Sequence, residues 1–328
     1  MADIKATYMG IKLETPILVA ASSISSYIDR IKDAEKAGAG ALVIRSLFEE
    51  QILFEALRME EELSVGSESF PEALSYFPEI KHGDASEHLM WIEKTRAEVK
   101  MPLIASLNAV NPGSWTKYAK QLEGTGVDAL ELNVYAVVTN IDKTSAEVEG
   151  SLYETVDSVL SEVKIPVSVK LSPFYTATAN VAAQLDKRGV RGLVLFNRFL
   201  QPNIDTQNET LINEMTFSSP SEMRLPLRWV ALLYKRIKAD LALNTGVHSG
   251  VDVAKALLAG ASVVQSASAL LQNGTPYLST MLRELEGWMD EHGYKNLDDF
   301  RGKLSQSEVD DPFAFERAQY VKLLLGQK

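Results

Sequence analysis

The chain has 328 residues, of which 46% are hydrophobic and 23% are charged, a balance typical of a globular protein with a sizeable core. Its 33 basic and 44 acidic residues give a formal net charge of -11, which argues against a nucleic-acid partner, because phosphate backbones select clustered lysine and arginine. The absence of cysteine excludes disulfides, thiolate-bound zinc, an iron-sulfur cluster held by this chain and a catalytic thiol.

The first residues show no targeting signal. Met1 leads within a few residues into the segment 10–13 without a basic region followed by an apolar one. No apolar run approaches the roughly 18 residues of a membrane span. We therefore expect a cytoplasmic protein with no membrane partner.

Eight short apolar segments predict β-strands, and most of them belong to one of two recurring phrases. In one phrase a helix end and a glycine lead into the strand, and in the other, as at Pro102 and Pro166, a proline opens the strand, where its missing N–H does no harm. In chain order the segments with their lead-in residues are 16–22, 37–45, 99–108, 125–133, 163–170, 188–197, 237–244 and 259–266.

Segments with helical spacing separate these strands. They cover 27–37, 86–99, 114–122, 151–163, 177–187, 227–238, 249–258 and 276–292. Strict alternation of apolar strands and helices indicates a parallel sheet, and eight such units predict an α/β fold, a (β/α)8 TIM barrel. An open doubly wound sheet would need a glycine-rich turn after the first strand, and the segment 21–26 offers none.

We expect residues 1–328 to form a single domain with a short C-terminal helical extension at about 305–328. Two connections are longer than usual, 47–85 after the second strand and 198–226 after the sixth. Both leave the carboxyl ends of strands, where barrels carry their active sites, so they are candidate lids or substrate walls.

Polar residues end all eight predicted strands. Any one of them could be an ordinary turn or cap residue, but eight together favour a shared site. Amides, hydroxyls and two cations without His, Asp or Glu suit a flat ligand with an anionic end better than a metal. The candidate ligand-binding residues are Ala21, Ser22, Arg45, Ser46, Asn108, Asn133, Lys170, Asn197, Thr245, Gly246, Gln265, Ala267 and Ser268.

The anionic end is predicted at the last two strands, because barrels often bind phosphate there. Thr245 and Gly246 supply a loop whose backbone could approach a ligand closely, and Ala267 and Ser268 precede a segment, 269–271, that could be a short extra helix. A plain loop of small residues is the alternative.

Lys170 ends an apolar strand and is therefore predicted to point into a partly dry site. It could neutralise a bound anion, or it could form a Schiff base with a carbonyl substrate, as in an aldolase.

Several segments in order resemble the dihydroorotate dehydrogenase family, whose members are FMN-dependent (β/α)8 barrels. No single motif decides this, but the order and spacing are specific and cover nearly the whole chain. The segments are 21–23, 132–133, 169–173, Asn197, 245–250, 265–270 and 293–304.

The resemblance implies FMN across the mouth of the barrel, next to a small-molecule substrate. Ala21 and Ser22 would touch the flavin, and Asn108 and Asn133 would bond its edge and the substrate side. Lys170 would stabilise negative charge at the pyrimidine edge of the flavin. The phosphate would be held by Gly246, Ala267 and Ser268.

Departures from the family pattern fall in the substrate half of the site. The position of the family's Cys or Ser base is Ala136, which cannot accept a proton, and Tyr135 or Thr139 could replace it from the same loop. Arg45 stands where a lysine is expected, Arg198 replaces a small hydroxyl residue, and the segment 67–72 differs as well.

We therefore expect an FMN-dependent oxidoreductase that transfers hydride from a small substrate, not dihydroorotate, to flavin. Arg45, Tyr135, Thr139 and Lys170 are the candidate catalytic residues. A true dihydroorotate dehydrogenase with a substitute base, a Schiff-base aldolase using Lys170 and a non-catalytic flavin-binding relative remain open. An electron-acceptor protein and a homodimer are compatible partners.

Overall fold

The structure is a computed structural model, which describes residues 2–50, 52, 85–109, 112–134, 136–212, 214–316 and 318–326. Most of the long connection after the second predicted strand, including the segment 67–72, lies outside the described residues. Tyr135 lies outside them as well.

Twelve strands occur in the part of the chain that the structure describes. In chain order they are β1 (Ala6–Tyr8), β2 (Ile11–Leu13), β3 (Ile17–Val19), β4 (Ala41–Phe48), β5 (Leu103–Asn108), β6 (Ala129–Asn133), β7 (Val167–Leu171), β8 (Gly192–Leu195), β9 (Asn203–Asp205), β10 (Thr210–Ile212), β11 (Asp240–Asn244) and β12 (Val263–Ser266).

Eight of these strands form a closed parallel barrel in the order β3 to β8, then β11 and β12, with β12 pairing back onto β3. These are the eight strands that the sequence predicts, so the (β/α)8 barrel is confirmed. Their side chains are almost all buried, because a parallel barrel is covered by helices outside and filled by side chains inside.

Helices follow the barrel strands as predicted. They are α1 (Ile28–Lys36), α2 (Ser86–Glu98), α3 (Pro112–Gly124), α4 (Ser145–Glu162), α5 (Thr178–Arg188), α6 (Arg224–Leu233), α7 (Gly250–Ala259), α8 (Ser268–Asn273), α9 (Tyr277–His292) and α10 (Ala318–Gly326). Among these, no helix combines the length and apolar character needed to cross a bilayer.

Two helix boundaries differ from the prediction by about five residues or more. Helix α4 begins at Ser145 rather than 151, because Thr144 and Glu147 form a capping box in which each accepts the other's backbone N–H. Helix α6 ends at Leu233 rather than near 238, since Tyr234 leaves the helical conformation with ψ of 131° and Lys235 has φ of 60°. Local backbone chemistry set these ends, and apolar spacing alone did not reveal it.

The recurring glycine phrase has a clear backbone basis. Gly38, Gly126, Gly189 and Gly260 follow helices and have φ of 94°, 79°, 97° and 115°. A left-handed backbone conformation at the end of a helix favours glycine, because residues with a side chain rarely adopt it. The phrase therefore marks four turns from a helix into a barrel strand.

A hairpin of β1 and β2 covers the amino ends of the barrel strands. The Met9 amide donates to Asp240 Oδ2 over 2.7 Å, and Tyr8 packs so closely on Gly192 that a Cβ there would lie 2.7 Å from the Tyr8 hydroxyl oxygen. Gly192 and Asp240 begin β8 and β11, so the hairpin closes this end. The carboxyl ends of the strands, at the opposite end of the barrel, remain available for a binding site.

The long connection after β8 carries the small hairpin of β9 and β10 and a 3-10 turn at Pro220–Met223. Beyond the barrel, a 3-10 turn at Pro312–Phe315 and helix α10 lie within the predicted C-terminal extension.

Candidate functional site

The mouth of the barrel holds a cavity of about 160 Å³, here called the small cavity. It lies at the carboxyl ends of β3, β7, β8, β11 and β12. Its lining residues are Ala20, Ala21, Lys170, Asn197, Arg198, Ser218, Asn244, Thr245, Gly246, Val247, Gln265, Ser266, Ala267 and Ser268. Eight of the predicted ligand-binding residues are therefore brought together around one space.

The loop after β11 forms one wall of the small cavity through an unusual backbone. Thr245 and Gly246 have φ of 84° and 78°, and Asn244 Nδ2 anchors the turn by donating to the Phe196 carbonyl over 2.6 Å. A Cβ on Gly246 would lie 2.5 Å from the Met223 backbone nitrogen. Glycine is needed here for both its backbone conformation and its lack of a side chain.

The loop after β12 forms the facing wall. Helix α8 begins at Ser268, so the short extra helix expected at 269–271 is present. The Ser268 hydroxyl accepts the Ser218 amide over 3.0 Å, which leaves its own proton available for a ligand. The Ser218 hydroxyl in turn lies 3.1 Å from Nε2 of His248.

Arg198 is a positive residue of the small cavity that the sequence pattern marks only as a departure from the family. Its Nε donates to Glu222 Oε2 over 2.8 Å, and its Nη1 donates to the Thr216 carbonyl over 2.5 Å. Burial raises the pKa of Glu222, but hydrogen bonds from Arg198 and the Ser219 amide lower it overall. In the sequence, the position of Arg198 directly after the predicted site residue Asn197 could have revealed that it lines the cavity.

A chain of side-chain amides crosses the barrel mouth. Asn108 Nδ2 donates to the Asn133 carbonyl over 2.8 Å, and Asn197 Nδ2 donates to Asn133 Oδ1 over 2.7 Å. Asn133 Nδ2 lies 3.3 Å from Ser46 Oγ, which is 2.7 Å from Ser106 Oγ. Asn133 is thus fixed at the centre of the mouth.

A larger groove of about 880 Å³ lies on the other side of this chain. It is bounded by the ends of β4 and β5, the loops after β6, β7 and β8, and helix α4. Just over half of its lining residues are apolar or aromatic, and the others are hydroxyl, amide and charged residues. The lining residues include Glu50, Asn108, Trp115, Ala136, Val138, Lys143, Glu149, Leu152, Phe174, Tyr175, Phe199 and Leu200.

Ala136 lines the groove where the family resemblance places a base, so this position supplies no proton acceptor. Tyr175 lines the same groove, but burial, together with Tyr153 and Glu149, raises its pKa to about 12. A phenol with that pKa is a poor base near neutral pH.

Lys170 is buried and is paired with Glu131, a residue absent from the sequence-based prediction. The Lys170 ammonium lies 3.6 Å from Glu131 Oε1, and Gln265 Nε2 donates to Oε2 over 2.6 Å. Side chains alternate along a strand, so Glu131 shares the inward face of β6 with Asn133, two residues on. That spacing in an otherwise apolar strand was the signal that could have revealed it.

Other predicted residues lie apart from both spaces. Arg45 has an exposed side chain at an irregular point of β4 and lines neither space. Ser22 caps the 3-10 turn Ser23–Ser26, and Thr139 is exposed in the loop after β6. Within the described ranges, no cluster of His, Asp and Glu is arranged to hold a metal.

The closed barrel has a cavity, a buried lysine and a hydrogen-bonded asparagine at the carboxyl ends of its strands, the end at which barrel enzymes have their active sites. Residues 81–289 match the family model described as Dihydroorotate dehydrogenase. Because this match spans more than half of the chain, the chain belongs to the dihydroorotate dehydrogenase family and is an oxidoreductase.

Curated relatives cover much of the chain at modest identity. Dihydroorotate dehydrogenase B (NAD(+)), catalytic subunit, of Thermoplasma volcanium is 26% identical over 92% of this chain and 98% of its own length. Putative dihydroorotate dehydrogenase A (fumarate) of Aeropyrum pernix is 28% identical over 64% and 70%. Dihydropyrimidine dehydrogenase (NADP(+)), chloroplastic, of Arabidopsis thaliana is 22% identical over 93% and 77%.

Proposed function

We propose that this chain is an FMN-dependent oxidoreductase that takes hydride from a small organic substrate other than dihydroorotate. The observation that carries this proposal is the lining of the small cavity. Arg198 lies there beside Lys170, together with the loops after β11 and β12, whose backbones could approach a ligand closely. Family membership supports flavin as the group that such a site would hold.

The donors of the small cavity fit the phosphate end of FMN. At about 160 Å³ it is smaller than the roughly 300 to 1,000 Å³ of sites that enclose a whole ligand. Gly246 and Ala267 would offer backbone N–H groups, Ser268 its free hydroxyl proton, and Arg198 a positive charge. The ring would then lie across the mouth towards the groove.

When bound, FMN supplies an electron-accepting ring. Lys170 would place its ammonium at the edge where negative charge develops, which is the electrostatic contribution a preorganised cation makes. The fixed amides of Asn133 and Asn197 would orient the ring. The apolar walls of the larger groove would exclude water around the substrate.

The Lys170 and Glu131 pair supports the flavin role over the aldolase. A Schiff base needs a neutral amine as nucleophile, whereas a carboxylate 3.6 Å away stabilises the charged ammonium. A charged ammonium suits an electrostatic role at the flavin edge.

Turnover would require a second acceptor for the electrons taken from the substrate. The chain has no cysteine and so cannot hold an iron-sulfur cluster alone. Several relatives are named catalytic subunits of NAD(+) enzymes. These observations favour an electron-acceptor protein as the partner.

The substrate proposal is tested by mixing the flavin-loaded protein with dihydroorotate without oxygen and following loss of the yellow colour. The Thermoplasma volcanium relative serves as the comparison enzyme. Because Ala136 removes the positioned base, we expect reduction by dihydroorotate to be about 100 to 10,000 times slower than in a base-containing relative.

Comparable rates in the two proteins would contradict the substrate proposal and favour a dihydroorotate dehydrogenase with a substitute base. A flavin that dithionite reduces but that no donor in a panel of dihydropyrimidines and other CH–CH compounds reduces would instead favour a non-catalytic flavin-binding role.

A further inference from the structure

Glu131 is a buried carboxylate in the interior of the barrel, directly beneath the small cavity. Its Oε2 accepts from Gln265, whereas Oε1 has no hydrogen-bond partner in the part of the chain that the structure describes. A buried carboxylate oxygen without a hydrogen bond is costly, and the nearby ammonium of Lys170 is the charge that offsets this cost.

Both neighbours of Glu131 also face the proposed cofactor. Lys170 comes from β7 and Gln265 from β12, and both line the small cavity. Lys170 therefore lies between a fixed negative charge below it and the ligand site above it. Any negative charge that develops in the ligand competes with Glu131 for the same ammonium.

We propose that Glu131 is a positioning residue that acts through Lys170 and weakens the stabilisation of negative charge on the bound flavin. The proposal rests on the proposed FMN function. Hydride transfer brings two electrons and one proton to the ring and leaves a negative charge at its pyrimidine edge. The Glu131 carboxylate attracts the Lys170 ammonium and holds it away from the ring edge, so Lys170 balances this negative charge only in part.

Sulfite is a suitable probe because it adds to oxidised flavin without a substrate. Its sulfur lone pair forms a bond to a ring nitrogen, and the displaced electron pair becomes negative charge at the pyrimidine edge. No group leaves, and no oxidant or reductant is needed. The sulfite dissociation constant, read from the loss of yellow colour, therefore reports how well the protein stabilises that charge.

Glu131→Gln removes the negative charge of this side chain and keeps its size nearly constant. We expect this variant to bind sulfite about tenfold more tightly or better, because one nearby charge shifts such an equilibrium by about a factor of ten at least. The midpoint potential of the flavin should rise, by about 30 mV for each tenfold gain in the two-electron reduction equilibrium. Glu131→Asp keeps the charge and should leave both values nearer to those of the unmodified protein.

A matched control removes a carboxylate far from the mouth. Glu162 ends helix α4 and pairs with Lys120 over 3.2 Å, with both side chains substantially exposed. Glu162→Gln changes the net charge by the same amount as Glu131→Gln. It should leave the sulfite dissociation constant unchanged.

A double-mutant cycle tests whether Glu131 acts through the lysine. Lys170→Met should weaken sulfite binding, and in that background Glu131→Gln should have little further effect. An equal effect in both backgrounds would overturn the proposal, as would unchanged sulfite affinity in Glu131→Gln alone.

If Lys170→Met fails to fold, the comparison of Glu131→Gln with Glu131→Asp still decides the matter. Equal affinities in these two variants would contradict the role of the charge. A protein that does not retain FMN at all would instead refute the proposed function, so the two failures are distinct.

Discussion

Burial of single ionisable groups shapes how this chain responds to pH. His88 lies near the start of helix α2, partly buried, and its Nε2 has no hydrogen-bond partner among the described residues. Burial, and next the charge of Arg45, lower the pKa of His88 from 6.5 to about 4. The folded chain therefore keeps this imidazole neutral at pH values where the unfolded chain protonates it.

Acidification should accordingly destabilise the protein through His88. Above pH 6.5 the folded and unfolded states are both neutral here, and between 6.5 and about 4 only the unfolded state takes up the proton. We expect about 2 kcal/mol of the free energy of unfolding to be lost through this group between about pH 7 and about pH 4.5.

Urea unfolding at the two pH values measures this loss. His88→Gln should reduce the difference between them, whereas His292→Gln, at the exposed end of helix α9, should not. An equal loss in the unmodified protein and in His88→Gln would show that His88 plays no part.

Single residues also show where sequence reasoning succeeds and where it stops. Lys170 and Asn133 could be placed at the mouth of the barrel because strand ends meet at one face of a barrel. Two other features depend on side-chain direction and on neighbours more than 20 residues away in the chain. They are the pairing of Lys170 with Glu131 and the position of Arg198 in the small cavity. Apolar periodicity contains neither kind of information.

At the scale of elements, the alternation of strands and helices was predictable because each buried strand is an apolar run and glycine marks four of the turns that lead into strands. The sequence analysis did not predict the N-terminal hairpin, because strands of three residues are too short to show an alternating pattern of apolar and polar side chains. The start of α4 depended on the capping box of Thr144 and Glu147.

Two glycines with similar backbone angles differ in their surroundings, which gives a matched pair of variants. Gly189 has φ of 97°, and a Cβ added to it would meet no atom within 4 Å, whereas a Cβ on Gly246 would clash with the backbone of Met223. Gly189→Ala should cost about 1 to 2 kcal/mol from left-handed strain alone.

Gly246→Ala should cost clearly more, because Met223 must move as well, and it should weaken FMN retention by distorting the loop. Chemical denaturation and FMN titration measure the two effects. Equal destabilisation by both variants, with FMN affinity unchanged in Gly246→Ala, would show that the loop after β11 is not part of the binding site.

At the scale of the whole molecule, the two ends of the barrel have different tasks. The hairpin with Tyr8 closes the amino ends of the strands, and the carboxyl ends carry the small cavity and the groove. The amide chain through Asn133 separates these two spaces. In the proposed function, this division would let the small cavity hold the phosphate of FMN while the groove accepts a substrate other than dihydroorotate.

The most direct measurement is the flavin content of the purified chain after gel filtration, with FMN or riboflavin added beforehand. We predict a yellow protein that retains about one FMN per chain, as expected for a single barrel mouth, and retains riboflavin poorly because it lacks the phosphate. A colourless protein that retains neither compound would contradict the central claim that this barrel binds FMN.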